Sequence, residues 1–97
     1  MIRHTVMFTW RPDATEEQIK RVPAELSRLP ALVPSLKAYS MGTDIGVNEG
    51  NWQFAATADF DDLDGYLAYR DDPTHQAIIK EHIRPIIATR AAVQFEL

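Results

Sequence analysis

The chain has 97 residues, 45% hydrophobic and 25% charged, with a formal net charge of −4 and no cysteine. These figures describe one globular domain, residues 1–97, and exclude disulfides, thiolate nucleophiles and zinc–thiolate sites. The acidic balance supplies no basic patch for nucleic acid or an anionic membrane, and no apolar run approaches the ~20 residues of a membrane span. Met1-Ile2-Arg3-His4 has no signal-peptide apolar region, so a cytoplasmic location is expected.

Residues 2–11 alternate: Ile2, His4, Val6, Phe8 and Trp10 point one way, Arg3, Thr5, Met7, Thr9 and Arg11 the other. That period of two predicts a strand with His4 on its apolar face. Thr15-Glu16-Glu17-Gln18 has capping-box spacing, and Ile19, Val22, Leu26 and Leu29 continue at helical spacing. Pro23 removes the bond to the Ile19 carbonyl, so a kink or a helix in two pieces is expected.

A second strand is read over residues 36–44, with Leu36, Ala38 and Ser40 on one face and Tyr39 and Met41 on the other. Gly42 is read as a bulge or a close approach. Gly46, Asn48 and Gly50 mark a turn region. Trp52, Phe54, Ala56, Ala58 and Phe60 define a third strand over 52–60, paired with the second as a hairpin. Asp61-Asp62 caps a helix with Leu63, Tyr66 and Leu67 as its stripe.

Asp72-Pro73 starts the last helix, Asp72 as N-cap and Pro73 in the first turn. Pro85 ends it. Ile78, Ile79, His82, Ile83 and Ile86 form its apolar stripe, with His75 at the edge. Ala91, Val93, Phe95 and Leu97 alternate with Ala92, Gln94 and Glu96 in a fourth strand over 91–97.

The order β-α-β-β-α-β predicts an α+β, ferredoxin-like domain: a four-stranded antiparallel sheet with helices on one face. The other face, read as Thr5, Met7, Thr9, Tyr39, Met41, Ala55, Thr57 and Gln94, is too apolar to stay bare. A homodimer closing two sheets into a barrel is expected.

The chemistry rests on histidine. Neutral imidazole is both donor and acceptor, and its unperturbed pKa of ~6.5 suits a general base. His4 and His75 can form such a pair, with either Tyr69, turned towards His75, or His4 as the donor for an enolate oxygen. Equally, His4 and His75 can be a buried polar pair that fixes helix to sheet. Phe8, Trp10, Trp52, Phe54, Tyr66, Ile79 and His82 are the candidate pocket walls. His82 also suits the C-terminal helix dipole. The spacing from His75 to His82 is longer than the His-x3-His of helical metal ligands, so no metal is expected, and no cofactor motif is present.

Three stretches resemble the stress-responsive α/β-barrel (Dabb) family: Ile2-Arg3-His4-Thr5-Val6-Met7-Phe8, Tyr39-Ser40-Met41-Gly42-Thr43-Asp44, and Tyr66 through His75 with its Pro-x-His element. The resemblance spans essentially the whole chain. It implies a dimeric α+β barrel with a cavity between sheet and helices. A plant member of that family is a polyketide cyclase working by aldol condensation; the resemblance implies that its proton-transfer histidine and tyrosine match His75 and Tyr69, with the nearby strand-one histidine matching His4. That cyclase has a pocket tyrosine on its first helix, whereas residues 15–29 here hold no aromatic. The expectation is therefore a small-molecule-binding domain with a hydrophobic pocket. The alternatives are a cofactor-independent cyclase with His75 as base, and a non-catalytic stress-related dimer.

Overall fold

The computed structural model describes all 97 residues. β1 (Ile2–Trp10) lies inside the sheet, and its alternation is carried into burial: His4, Val6, Phe8 and Trp10 are buried, Thr5, Met7 and Thr9 half-buried. It pairs antiparallel with β3 (Phe54–Phe60) and with β4 (Ile87–Glu96), while β2 (Ala38–Thr43) pairs with β3, giving the order β2-β3-β1-β4. This is the ferredoxin-like α+β sheet, with the expected hairpin between β2 and β3.

The helices cover one face. α1 (Glu16–Leu26) starts in the capping box: the Gln18 N–H donates to Thr15 Oγ1 at 3.2 Å and the Thr15 N–H to Gln18 Oε1 at 2.9 Å. It runs through Pro23, and a separate turn, α2 (Leu29–Leu32), follows. α3 (Leu63–Arg70) is capped by Asp62, which accepts from the Gly65 N–H at 2.8 Å. The core these elements enclose centres on Val22, Leu29, Phe54 and Phe60, all fully buried. No helix is long and apolar enough to cross a membrane.

α4 (Pro73–Ile78) begins as expected, with Asp72 Oδ1 accepting from the N–H groups of Thr74 and His75 at 2.9 and 3.0 Å. It then widens into a π turn over Ile79–Ile83, marked by the Arg84 N–H donating to the Ile79 carbonyl at 2.9 Å. The extra residue in this turn changes which side chains share a face. His75, Ile79 and Ile83 stay together, and His82 rotates towards α1.

Four readings of the strands are corrected. Tyr39 and Met41 pair with Ala58 and Ala56 and so face the helices, while Ala38 and Ser40 take the open face. Gln94 sits opposite His4 on the helix side, which puts Val93 and Phe95 on the open face, 53% and 44% exposed. β4 starts earlier, at Ile87, because a register shift between Thr9 and Trp10 breaks the alternation there. Gly42 pairs regularly with Ala55, so the irregularity is in β1/β4 and not at the glycine. Leu63 is also exposed at 58%, leaving Tyr69 as the one buried residue of α3.

Candidate functional site

Two histidines approach one cavity from opposite layers. His4 comes from β1. Its register partner Gln94 on β4 is an edge-strand residue whose Nε2 lies 2.8 Å from His4 Nδ1. With the Gln94 amide turned so that its nitrogen meets Nδ1, Nδ1 accepts and the ring proton goes to Nε2. His75 comes from α4, and its Nδ1 lies 2.9 Å from the Tyr69 carbonyl oxygen. A carbonyl only accepts, so Nδ1 carries the proton and Nε2 keeps its lone pair. In that arrangement the two imidazoles hold opposite tautomers: His4 offers a donor, His75 an acceptor.

The tyrosines bind these layers together. Tyr69 stacks on His75 with ring centroids 4.0 Å apart and planes 29° apart. Its hydroxyl is 3.1 Å from that of Tyr39 on β2. Tyr66 lies against His4 at 5.2 Å. Burial pushes the Tyr69 phenol far up, with Tyr39 and Tyr66 adding to it, and burial also raises Tyr39. Both are neutral hydroxyls at any physiological pH, able to donate but not to serve as phenolate bases.

Burial likewise disfavours charge on the histidines. It lowers His4 to about 4, with the Arg90 guanidinium and His75 contributing. Burial lowers His75 too, partly opposed by the backbone carbonyls of Tyr69 and Arg70 and by Asp72. At neutral pH the pair is uncharged, as the tautomer assignment requires.

The cavity between them has a volume of about 230 Å³. His4, Tyr39, Tyr66, Tyr69 and His75 form its polar wall, and Val6, Phe8, Leu26, Ile79 and Ile83 are among its apolar walls. Of the residues expected from sequence, His4, His75, Tyr69, Phe8, Tyr66 and Ile79 meet here. Trp10 and Phe54 do not: they pack in the adjoining core, each within 6 Å of the Phe8 ring. Trp52 precedes β3 and lies on the open face beside Met7, Ala55 and Thr57. His82 points to α1, its Nε2 3.8 Å from Glu25 and 3.7 Å from Glu81.

Tyr39, Gln94, Arg84 and Arg90 were not among the expected site residues. Tyr39 could have been found from its neighbour pattern only with the β2 register in hand. Gln94 and Arg90 belong to β4, whose sequence reads as an apolar strand turned the other way. No group of three or more His, Asp or Glu side chains is arranged to hold a metal ion.

The model of the Dabb family, the stress responsive A/B barrel domain, matches residues 2–97. The chain belongs to this family. A dimeric ferredoxin-like protein of unknown function from Thermobifida fusca is 46% identical to the Dabb chain, with a TM-score of 0.91 over 99% of this chain and 90% of that one. A dimeric protein of unknown function from Bacteroides fragilis is 28% identical, with a TM-score of 0.83 over 99% and 95%. A hydroxynitrile lyase from Passiflora edulis, 20% identical, shares the fold with a TM-score of 0.84 over 97% of this chain and 90% of that one. No curated protein matches the chain significantly.

Proposed function

We propose that this Dabb protein binds a small, mostly apolar compound bearing a carbonyl oxygen, in the cavity between sheet and helices. The observation that carries this reading is that His4 and His75 line one cavity from opposite layers, His4 Nδ1 beside the Gln94 carboxamide and His75 Nδ1 on the Tyr69 carbonyl. The His4 Nε2–H is the donor for the oxygen, and the apolar walls take the body of the ligand. At about 230 Å³ the cavity is below the roughly 300–1,000 Å³ of drug-sized clefts, so the ligand is small. Acetophenone tests this. Titrated into the protein, it is expected to shift the NMR signals of His4, Tyr39, Tyr69 and His75 saturably. Shifts absent from these residues contradict the reading and leave a purely structural role.

The same tautomers favour a second reading, as a cofactor-independent proton-transfer enzyme of cyclase or lyase type. His75 Nε2 removes a proton alpha to the carbonyl, and the electron pair moves onto the oxygen held by His4 Nε2–H. The Tyr69–Tyr39 hydroxyl pair supplies a further donor. Exchange of the methyl protons of acetophenone in D₂O reports this step directly. Acceleration lost in His75→Ala supports it, and exchange no faster than in buffer contradicts it.

The protein acts as a homodimer in this proposal. Val93 and Phe95 leave an apolar patch on the open face, and the Thermobifida fusca relative is described as dimeric. Sedimentation is expected to give a dimer at micromolar concentration and a monomer for Val93→Glu/Phe95→Glu. A monomeric parent protein contradicts this.

A further inference from the structure

The cavity does not end at the histidines. A groove of about 420 Å³ adjoins it and shares Phe8, Ile79, Ile83, Arg84 and Arg90 with it. The shared border thus holds two guanidiniums above an apolar floor. Neither makes an ion pair, whereas Arg3, Arg11, Arg21, Arg28 and Arg70 each lie within 4 Å of a carboxylate. No Asp or Glu lines the cavity or the groove. In a chain with 14 acidic residues against 10 basic ones, this border is a local inversion of charge.

Two structural devices place the pair. At the end of the π turn, Arg84 lines the cavity together with Ile79 and Ile83. The register Phe8↔Arg90 puts Arg90 on the helix side of the sheet edge, beside the cavity. Guanidinium is the side chain suited to planar, bidentate recognition of carboxylate or phosphate.

From this geometry we infer that the ligand is an anion: an apolar body carrying a carboxylate or phosphate held by Arg84 and Arg90, with its carbonyl reaching His4 and His75. The inference rests on the proposed binding cavity and names the chemical class that the cavity selects. The head group stays at the exposed rim, where it costs little desolvation, and the body enters the buried part. Such a ligand spans cavity and groove together, which a neutral compound has no electrostatic reason to do.

The test compares 3-benzoylpropionate with its primary amide, and phenethyl phosphate with phenethyl alcohol, by NMR titration of the parent protein and of Arg84→Gln, Arg90→Gln and Arg11→Gln. Charged hydrogen bonds lead to an expected preference of about tenfold for the acid over the amide. That preference is expected to fall in the two rim variants, to persist in Arg11→Gln, and to weaken with added salt. A larger preference for phosphate over its alcohol than for acid over amide assigns the head group as phosphate and upholds the anion site. Acid and amide binding equally, both shifting His4 and His75, overturns the anion site while leaving the cavity reading intact. No probe shifting His4 or His75 overturns both.

Discussion

The helix-side layer of this molecule has two halves that share one sheet and differ in chemistry. At one end, Trp10 and Phe54 pack ring against ring in the apolar core. At the other, His4, Tyr39, Tyr66, Tyr69 and His75 surround a cavity. Phe8 stands between, in contact with both. In the apolar half the buried Trp10 indole N–H has no hydrogen-bond partner from the protein. In the polar half every aromatic heteroatom pairing described links different elements: β1 to β4, β2 to α3, α3 to α4. The contrast separates residues that fill the core from residues that line the cavity of the proposed site.

Substitutions sharpen that contrast. Phe54→Ala, in the apolar half, is expected to cost about 3–5 kcal/mol in denaturant unfolding, because the void cannot fill. Losing the Asp72 cap comes next: Asp72→Ala frees two N–H donors and is expected to cost about 0.5–2 kcal/mol. Tyr39→Phe, in the polar half, is expected to cost about 1 kcal/mol or less, since water in the cavity can replace the lost partner of Tyr69. A Tyr39→Phe loss equal to that of Phe54→Ala would erase the distinction between the halves.

pH provides a gentler probe of the same difference. His4 is lowered to about 4 in the folded chain, against ~6.5 unfolded. Between those values the unfolded chain binds the extra proton, so stability rises with pH there. Its contribution is full above about 6.5 and erodes as pH falls towards 4. His75 is lowered also and acts in the same direction. The open face carries a separate acid-sensitive contact: Arg3 holds Asp59 in a two-bond pair at 2.8 and 2.9 Å and lowers its pKa. That contribution is present above the unfolded carboxylate pKa and is lost as pH falls below it. Melting temperatures are therefore expected to drop from pH 7 to pH 5 in the parent protein and to drop less in His4→Gln. An equal drop in both contradicts the assignment to His4.

Much of this arrangement was legible in the sequence because it is local. The Thr15 box, the Asp62 and Asp72 caps and the alternation of β1 and β3 depend on residues within a few positions of one another. His4 and His75 could be placed on buried faces for the same reason. What escaped depends on partners far along the chain. The face of β2 follows from its register on β3, and a one-residue misreading inverted Tyr39 and Met41. The bulge between β1 and β4 hid the start of β4, and the open-face role of Val93 and Phe95 hid Gln94 and Arg90 behind it. His82 was misplaced because an α-helical period was carried through a turn that is π.

The most direct measurement is a long-range ¹H–¹⁵N NMR spectrum of the imidazole nitrogens, followed through a pH titration. A neutral Nε2–H His4 and a neutral Nδ1–H His75 are expected at pH 7, with His4 uncharged until pH approaches about 4. Two rings of the same tautomer, or a His4 that gains its proton near ~6.5, would contradict this assignment.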